Sequence, residues 1–210
     1  MELKQSEVAT RPTGGGDPLS GIDNFATWTT GCAIVDVLHR RRPLFLLAAP
    51  VLMLIFGRPA YREYITGVVL VVIGQAIRIW SAGHISKCHE LTTTGPFAYV
   101  RNPIYIGSFA ICVGYSLMTR VILLWGPILL LFIITHGGAI AWEEAYLSTR
   151  YGETFERYRR SVPRLMPRFT PAFMASGFSL TQVWMNREQV SALGTIGVIV
   201  IFALKMVWGS

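Results

Sequence analysis

Five long apolar segments dominate this sequence and decide what it can fold into. They are residues 43–56, 64–80, 104–118, 121–141 and 190–208. A straight transmembrane helix needs roughly 20 apolar residues, so the last two segments are long enough outright. The first and third segments are short, so their helices must extend into flanking residues or the bilayer must become thinner. As an alternative, the first segment forms one arm of a half-buried hairpin. We therefore predict an all-α, polytopic membrane protein with about five transmembrane helices.

The charge content agrees with this fold class. Only 15% of the 210 residues are charged and the mean hydropathy is +0.45, whereas a soluble domain carries about 25% charged residues. The net charge of +7 favours a basic face against anionic lipid. A basic-aromatic module typical of nucleic-acid binding is missing, so we expect the lipid bilayer and no nucleic acid as partner. The three cysteines have no metal-ligand spacing, and we predict no metal site.

The segments divide the chain into three predicted parts. Residues 1–23 are polar, contain no signal-peptide core and are expected to form a disordered arm. Residues 24–189 form the membrane core, and residues 190–210 form a C-terminal transmembrane helix. Within the core, the mixed apolar and polar stretch 24–39 precedes three arginines and is typical of an interfacial helix.

Positive charges predict the orientation of these helices. With five spans, one membrane side carries twelve basic residues and the other carries three. The first set is Arg40, Arg41, Arg42, Lys87, Arg101, Arg150, Arg157, Arg159, Arg160, Arg164, Arg168 and Arg187, and the second is Arg58, Arg62 and Arg120. Because short cytoplasmic loops are rich in Lys and Arg, loops 81–103 and 142–189 are predicted to face the cytoplasm. The membrane is expected to be of the inner or endoplasmic-reticulum type.

The first rich loop ends in a helix start with anion-binding character. Asn102 suits an N-cap and Pro103 the first helical position. Free N–H groups at such a start, together with the guanidinium of Arg101, can hold a carboxylate or a phosphate. The structural alternative is that Arg101 is an ordinary interfacial charge. Near this start, Gly95 and Gly107 would let a ligand approach the backbone.

The second rich loop begins with an acidic pair. Glu143 and Glu144 follow directly after an apolar helix, and adjacent carboxylates at a membrane edge need water or a partner. Arg101 is a candidate partner. His136, about two turns earlier, is either functional or makes a hydrogen bond between helices. Further along, prolines restrict the residues before them, so that residues 162–167 must be extended. The length of the second loop would let this stretch fold back over the first loop as a lid.

The two loops together resemble a family of membrane enzymes. "TGPFAYVRNPIYIGS" (94–108), "EEAYL" (143–147) and "YGETFERYRRSVPRLMP" (151–167) are similar to the isoprenylcysteine carboxyl methyltransferase and phospholipid N-methyltransferase superfamily. The resemblance covers roughly residues 74–167 and implies a cofactor half that binds S-adenosylmethionine under the cytoplasmic loop. The form Asn-Pro-x-Tyr-x-Gly-Ser is similar to the phospholipid branch, since the isoprenylcysteine branch usually has His in place of Asn102.

The resemblance also implies roles for individual residues. The implied catalytic residues are Arg101, Glu143, Glu144 and Arg164, with Arg160 as an alternative to Arg164. The implied cofactor-binding residues are Leu91, Gly95, Pro96, Tyr99, Asn102, Pro103, Tyr105, Gly107 and Glu144.

We therefore predict a membrane-embedded enzyme that transfers a methyl group from S-adenosylmethionine to a lipophilic or membrane-partitioned acceptor at the cytoplasmic face. The acceptor and the oligomeric state are left open. Two other hypotheses are an NADPH-dependent reductase of the sterol-reductase type and a non-enzymatic helical membrane scaffold.

Overall fold

The computed structural model describes residues 50–85, 91–173 and 177–208, and every regular element in these ranges is helical. The helices are α1 (Tyr61–Ala82), α2 (Pro103–Thr119), α3 (Ile122–Tyr151), α4 (Glu153–Ser161), α5 (Leu180–Met185) and α6 (Glu188–Trp208). Helical residues 50–56 precede α1, and a short 3₁₀ helix (Gly95–Ala98) precedes α2. The predicted all-α membrane fold is confirmed. The expected arm 1–23, the expected helix 24–39 and most of segment 43–56 lie outside the described residues.

Three of these helices, α1, α3 and α6, are long and apolar enough to cross a membrane, and α2 is a shorter apolar helix of 17 residues. The second, fourth and fifth predicted segments correspond to α1, α3 and α6, while the third corresponds to α2. Helix α3 runs for 30 residues and continues well past the end of its apolar segment. This extension carries the acidic pair on a regular helix. The count of five spans stays a prediction.

Helices α1 and α2 touch backbone to backbone through two pairs of glycines. A Cβ atom added to Gly74 would lie 2.6 Å from the carbonyl oxygen of Gly107, and one added to Gly107 would lie 2.6 Å from that of Gly74. Gly67 and Gly114 form the same reciprocal pair, at 2.6 and 2.7 Å. Small residues at such positions let membrane helices approach closely.

This packing gives Gly107 of α2 a structural role. The space beside Gly107 is filled by the backbone of Gly74 and the side chain of Arg78. The missing side chain of Gly107 therefore serves the contact between α1 and α2, and its contact with a cofactor stays a prediction. The sequence pattern did not separate these two uses, because both require a backbone without a side chain.

The buried apolar core lies at the far end of the helices from the two rich loops. Met53, Val71, Met118 and Phe202 are almost fully buried there. At the same end, Arg120 adopts a left-handed conformation with φ of 56° and closes the tight turn between α2 and α3. The two rich loops therefore lie outside this apolar core.

Candidate functional site

Helix α2 begins at Pro103, as predicted, but the side chain of Asn102 does not cap it. Instead, Asn102 Nδ2 donates hydrogen bonds to Glu144 Oε1 and to the carbonyl oxygen of Arg164, each at 3.1 Å. The predicted capping role of this side chain is therefore wrong. The physical reason is that two strong acceptors from distant parts of the chain take the amide N–H groups.

Glu144 is the centre of a charged cluster. Its Oε1 lies 3.6 Å from Nη2 of Arg101, and its Oε2 lies 3.3 Å from Nε of Arg164. Only 17% of the Glu144 side chain is exposed, so these contacts are partly shielded from water. Two guanidinium groups face one carboxylate, which leaves an excess of positive charge. The cluster, formed by Arg101, Asn102, Glu144 and Arg164, therefore suits an anionic group.

Arg101 has donors left over. Its side chain is 10% exposed, and its Nε and Nη1 atoms are buried without a hydrogen-bond partner among the described residues. Buried polar atoms are nearly always hydrogen-bonded, and leaving a charged donor unpaired is costly. A ligand carboxylate would pair with one of these nitrogens in a charge-assisted way. The chain's own residues thus fit the carboxylate of an amino-acid-like cofactor.

The second member of the acidic pair points elsewhere. Glu143 is exposed, and its Oε2 accepts a hydrogen bond of 3.1 Å from the hydroxyl group of Tyr105. The ring of Tyr105 in turn packs edge-on against His136, with the ring centroids 5.7 Å apart. The side chains of the two neighbouring glutamates therefore lie in different environments. Glu144 joins the charged cluster, whereas Glu143 joins Tyr105 on α2.

Residues 163–173, which we call the strap, fold back over the first loop. The amide of Arg101 donates to the carbonyl of Pro163 at 2.9 Å, the amide of Arg168 donates to Tyr99 at 3.0 Å, and the amide of Ala172 donates to Ala98 at 2.9 Å. The predicted return of this segment over the first loop is confirmed. The strap covers the residues that precede α2.

Helix α4 fixes the start of the strap. Phe155, Tyr158 and Val162 are buried together, and Leu91 packs against them. The hydroxyl group of Tyr158 donates to the carbonyl of Phe97 at 2.9 Å. Burial raises the pKa of the Tyr158 phenol well above its usual range. The phenol therefore stays a protonated donor that ties α4 to the first loop.

The other predicted cofactor residues lie in the same loop, although packing accounts for several of them. Gly95 has a φ of +60°, and a Cβ atom there would lie 2.4 Å from the ring of His84. Pro96 is buried, and the ring of Tyr99 lies 6.4 Å from that of Trp80. The structure brings these residues near the charged cluster. Their contact with a cofactor stays a prediction.

Sequence analysis missed one polar group between the membrane helices. Arg78 of α1 forms a bidentate ion pair with Glu188 of α6, with Nε–Oε1 at 2.7 Å and Nη2–Oε2 at 2.9 Å. Gln75 donates to the same carboxylate at 2.9 Å and accepts from Thr195 at 3.2 Å. The sequence did carry a signal for this group, because Gln75 and Arg78 lie inside an apolar segment. Polar side chains within a membrane segment need partners.

Comparison with known proteins finds a family that matches part of this sequence. The family described as phospholipid methyltransferase matches residues 62–154. This range contains α1 except its first residue, all of α2 and α3, and three members of the charged cluster. This part of the chain is similar to the phospholipid methyltransferase family. The superfamily predicted from the two loop motifs is thereby confirmed, and the strap with Arg164 lies beyond the matched domain.

Individual relatives match up to about half of the chain. A nickel-cobalt-cadmium resistance protein, NccN, of Alcaligenes xylosoxydans xylosoxydans is 36% identical over 106 residues, which are 50% of this chain and 48% of that protein. The protein-S-isoprenylcysteine O-methyltransferase of Schizosaccharomyces pombe is 33% identical over 108 residues, which are 50% of this chain and 44% of that protein. The methanethiol S-methyltransferase of Crocosphaera subtropica is 37% identical over 78 residues, 37% of this chain and 29% of that protein.

The chain thus spans about half the length or less of the curated relatives it matches. No solved structure matches it. Two of these three relatives are methyltransferases by name.

Proposed function

We propose that this protein transfers a methyl group from S-adenosylmethionine to a lipophilic acceptor at the cytoplasmic face of a membrane. The observation that carries the proposal is Arg101, whose two unpaired buried nitrogens lie in a net positive cluster inside the methyltransferase domain. The names of the related methyltransferases support the reaction type. The family match favours this hypothesis over the reductase and the scaffold.

The residues present suit each charged group of this cofactor. Arg101 and the first N–H groups of α2 would hold the carboxylate. Glu143 or Glu144 would bind the ammonium group. Tyr105, hydrogen-bonded to Glu143, would present its ring to the cationic centre.

When bound, S-adenosylmethionine supplies an electrophilic methyl group on a sulfonium centre. The protein's contribution is then to orient the reactants and to keep water away, and orientation alone is worth up to about 7–11 kcal/mol. The strap covers the first loop through its backbone hydrogen bonds and would perform the exclusion. The apolar helices would admit the acceptor from the bilayer, while the cofactor arrives from the aqueous side.

Methyl transfer can be tested directly with membranes that contain the protein. Radiolabelled S-adenosylmethionine is added, and label is counted in the organic extract. The expected result is a labelled lipophilic product that is missing for Arg101→Met and present for Arg159→Met, which changes an exposed arginine of α4. An extract without label from the unaltered protein, across lipid extracts of several sources, would speak against the proposal.

A further inference from the structure

A cavity of about 580 Å³ lies between the helices. Small organic ligands occupy pockets of roughly 300–1,000 Å³, so the cavity has room for one such molecule. Its walls come from residues 50–54, from Arg78 of α1, and from α2, α3 and α6. Most of the lining is apolar. The polar lining residues are Arg78, Ser108, Thr135, His136, Ser191 and Thr195.

The cavity begins close to the proposed methyl donor. Ser108, which lines it, is one helical turn beyond Tyr105 on α2. His136, which also lines it, precedes Glu143 by seven residues, or about 10 Å along α3. The ring of His136 contacts the ring of Tyr105, whose hydroxyl group reaches Glu143. A molecule in the cavity would therefore meet His136 at the end that faces the cofactor residues.

The charge in the cavity wall is already matched. Arg78 is held by both oxygens of Glu188, and its Nη1 atom donates to Ser108. The other titratable groups that line the cavity with His136 are Cys112 and Tyr115 of α2. A ligand carrying a full charge would lose its hydration there without gaining a partner. The cavity consequently selects a neutral molecule.

Hydrogen bonding determines which nitrogen of His136 carries a proton. Its Nδ1 atom lies 3.1 Å from the carbonyl oxygen of Phe132 and 3.1 Å from the hydroxyl oxygen of Thr135. That hydroxyl donates to the carbonyl of Leu131 at 2.7 Å, so both groups near Nδ1 act as acceptors. Nδ1 must then be the donor. In the neutral imidazole, Nε2 is the basic nitrogen.

We infer that this cavity binds the methyl acceptor, that the acceptor is a neutral lipophilic thiol, and that His136 is the catalytic residue that accepts the thiol's proton. The inference rests on the proposed methyl transfer and names the acceptor class of the same site. The thiol sulfur forms a bond to the methyl carbon of the sulfonium donor, and the old carbon–sulfur bond breaks with its electron pair retained by the donor sulfur. The thiol proton passes to Nε2 of His136 and is later released to water.

A thiol fits this site better than other acceptors. A carboxylate or an ammonium group would have to enter the cavity charged. Among neutral nucleophiles that must lose a proton, a thiol is intrinsically the most nucleophilic.

Two glycines of α6 offer a matched pair of variants for the cavity. Gly194 lines it, whereas Gly197 does not, and a Cβ atom at either position meets nothing within 4 Å. Binding of 1-decanethiol is measured as the rise in melting temperature of the purified protein without cofactor. We expect a rise for the unaltered protein and for Gly197→Leu, and binding at least about tenfold weaker for Gly194→Leu. Equal binding by both variants would overturn the assignment of the cavity.

The role of His136 is tested by its pH profile. His136→Asn keeps a side-chain donor near Phe132 but removes Nε2. We expect methylation of 1-decanethiol to fall by about 10²–10⁴-fold at pH 7, with the loss shrinking as rising pH ionises the thiol. Loss by the same factor at every pH would indicate a structural role and contradict the inference.

The acceptor class is tested in the same assay with decanoate and decylamine. Faster methylation of either charged compound than of 1-decanethiol would overturn the thiol assignment. Binding of S-adenosylhomocysteine is measured in parallel on each variant. If the unaltered protein binds S-adenosylhomocysteine but Gly194→Leu and Gly197→Leu bind 1-decanethiol equally, only the cavity inference fails. If the unaltered protein does not bind S-adenosylhomocysteine, the proposed function is refuted as well.

Discussion

Asn102 and Glu144, 42 positions apart in sequence, are joined by a hydrogen bond of 3.1 Å between Nδ2 and Oε1. The bond ties the start of α2 to the C-terminal part of α3, while the turn at Arg120 joins the other ends of the same two helices. The helical hairpin is therefore closed at both ends. Every group of the charged cluster depends on this closure, because Glu144 is also the partner of Arg101 and Arg164.

Glu144→Gln should destabilise the protein, because it leaves the buried guanidinium of Arg101 without its carboxylate. Removing one partner of a buried pair costs about 3–5 kcal/mol, and we expect the lower end since Glu144 is partly exposed. The measurement is thermal unfolding in detergent micelles. Glu156→Gln, which removes an exposed pair with Arg159, is the control and should change stability by less than about 1 kcal/mol. Similar effects of both changes would contradict the importance of the cluster.

Gly74→Ala should separate α1 from α2. The added methyl group would lie 2.6 Å from the carbonyl oxygen of Gly107, and overpacking of this kind costs about 1–3 kcal/mol. Gly137→Ala on α3 is the matched change, because a Cβ atom there meets nothing within 4 Å. Its melting temperature should stay equal or rise slightly, since alanine favours the helix. A fall of equal size in both variants would argue against the close contact.

The ion pair of Arg78 and Glu188 should show strong coupling. Glu188→Leu alone leaves the guanidinium of Arg78 without its carboxylate and should cost about 3–5 kcal/mol. The double variant Arg78→Met, Glu188→Leu should recover most of this loss, because two apolar side chains replace the pair. A double-mutant cycle of unfolding free energies measures the coupling. Additive effects would mean that the two charges act independently.

Tyr158→Phe should loosen α4 from the first loop. The change removes the hydrogen bond to Phe97 and should cost about 1–3 kcal/mol at neutral pH, whereas Tyr61→Phe, at an exposed position, should be neutral.

The same variant should respond differently to alkali. Burial raises the pKa of Tyr158 in the folded protein, so this group's contribution is complete below the unfolded value of ~10. It is lost as pH rises through the folded pKa. The melting temperature of Tyr158→Phe should therefore fall less steeply above pH ~10 than that of the unaltered protein. Parallel curves would contradict the buried phenol.

Apolar length and helix-start residues were sufficient to predict much of this structure. The segments at 64–80 and 121–141 lie in α1 and α3, and the Asn-Pro pair marks the start of α2. The prolines predicted an extended stretch at 162–167, whereas the structure has bends at residues 162 and 164–166. These signals are local, because hydropathy, proline geometry and helix termini are properties of neighbouring residues.

What sequence analysis missed depends on contacts between distant residues. The side chain of Asn102 could cap its own helix or reach Glu144, and only the folded chain shows that it reaches Glu144. Gly107 was compatible with ligand approach and with helix packing, and the position of Gly74 shows its role in packing. Arg78 carried a visible signal inside an apolar segment, but its partner Glu188 lies 110 positions away.

The central claim is that the free donors of Arg101 hold the carboxylate of the cofactor. Titration calorimetry of the purified protein with S-adenosylhomocysteine tests it most directly, using Arg101→Met and, as control, Arg159→Met, whose arginine is about half exposed. The account predicts binding by the unaltered protein and by Arg159→Met, and affinity at least about tenfold lower for Arg101→Met, since a charge-assisted pair is worth ~1.5–3 kcal/mol. Unchanged affinity in Arg101→Met, or no binding by the unaltered protein, would contradict it.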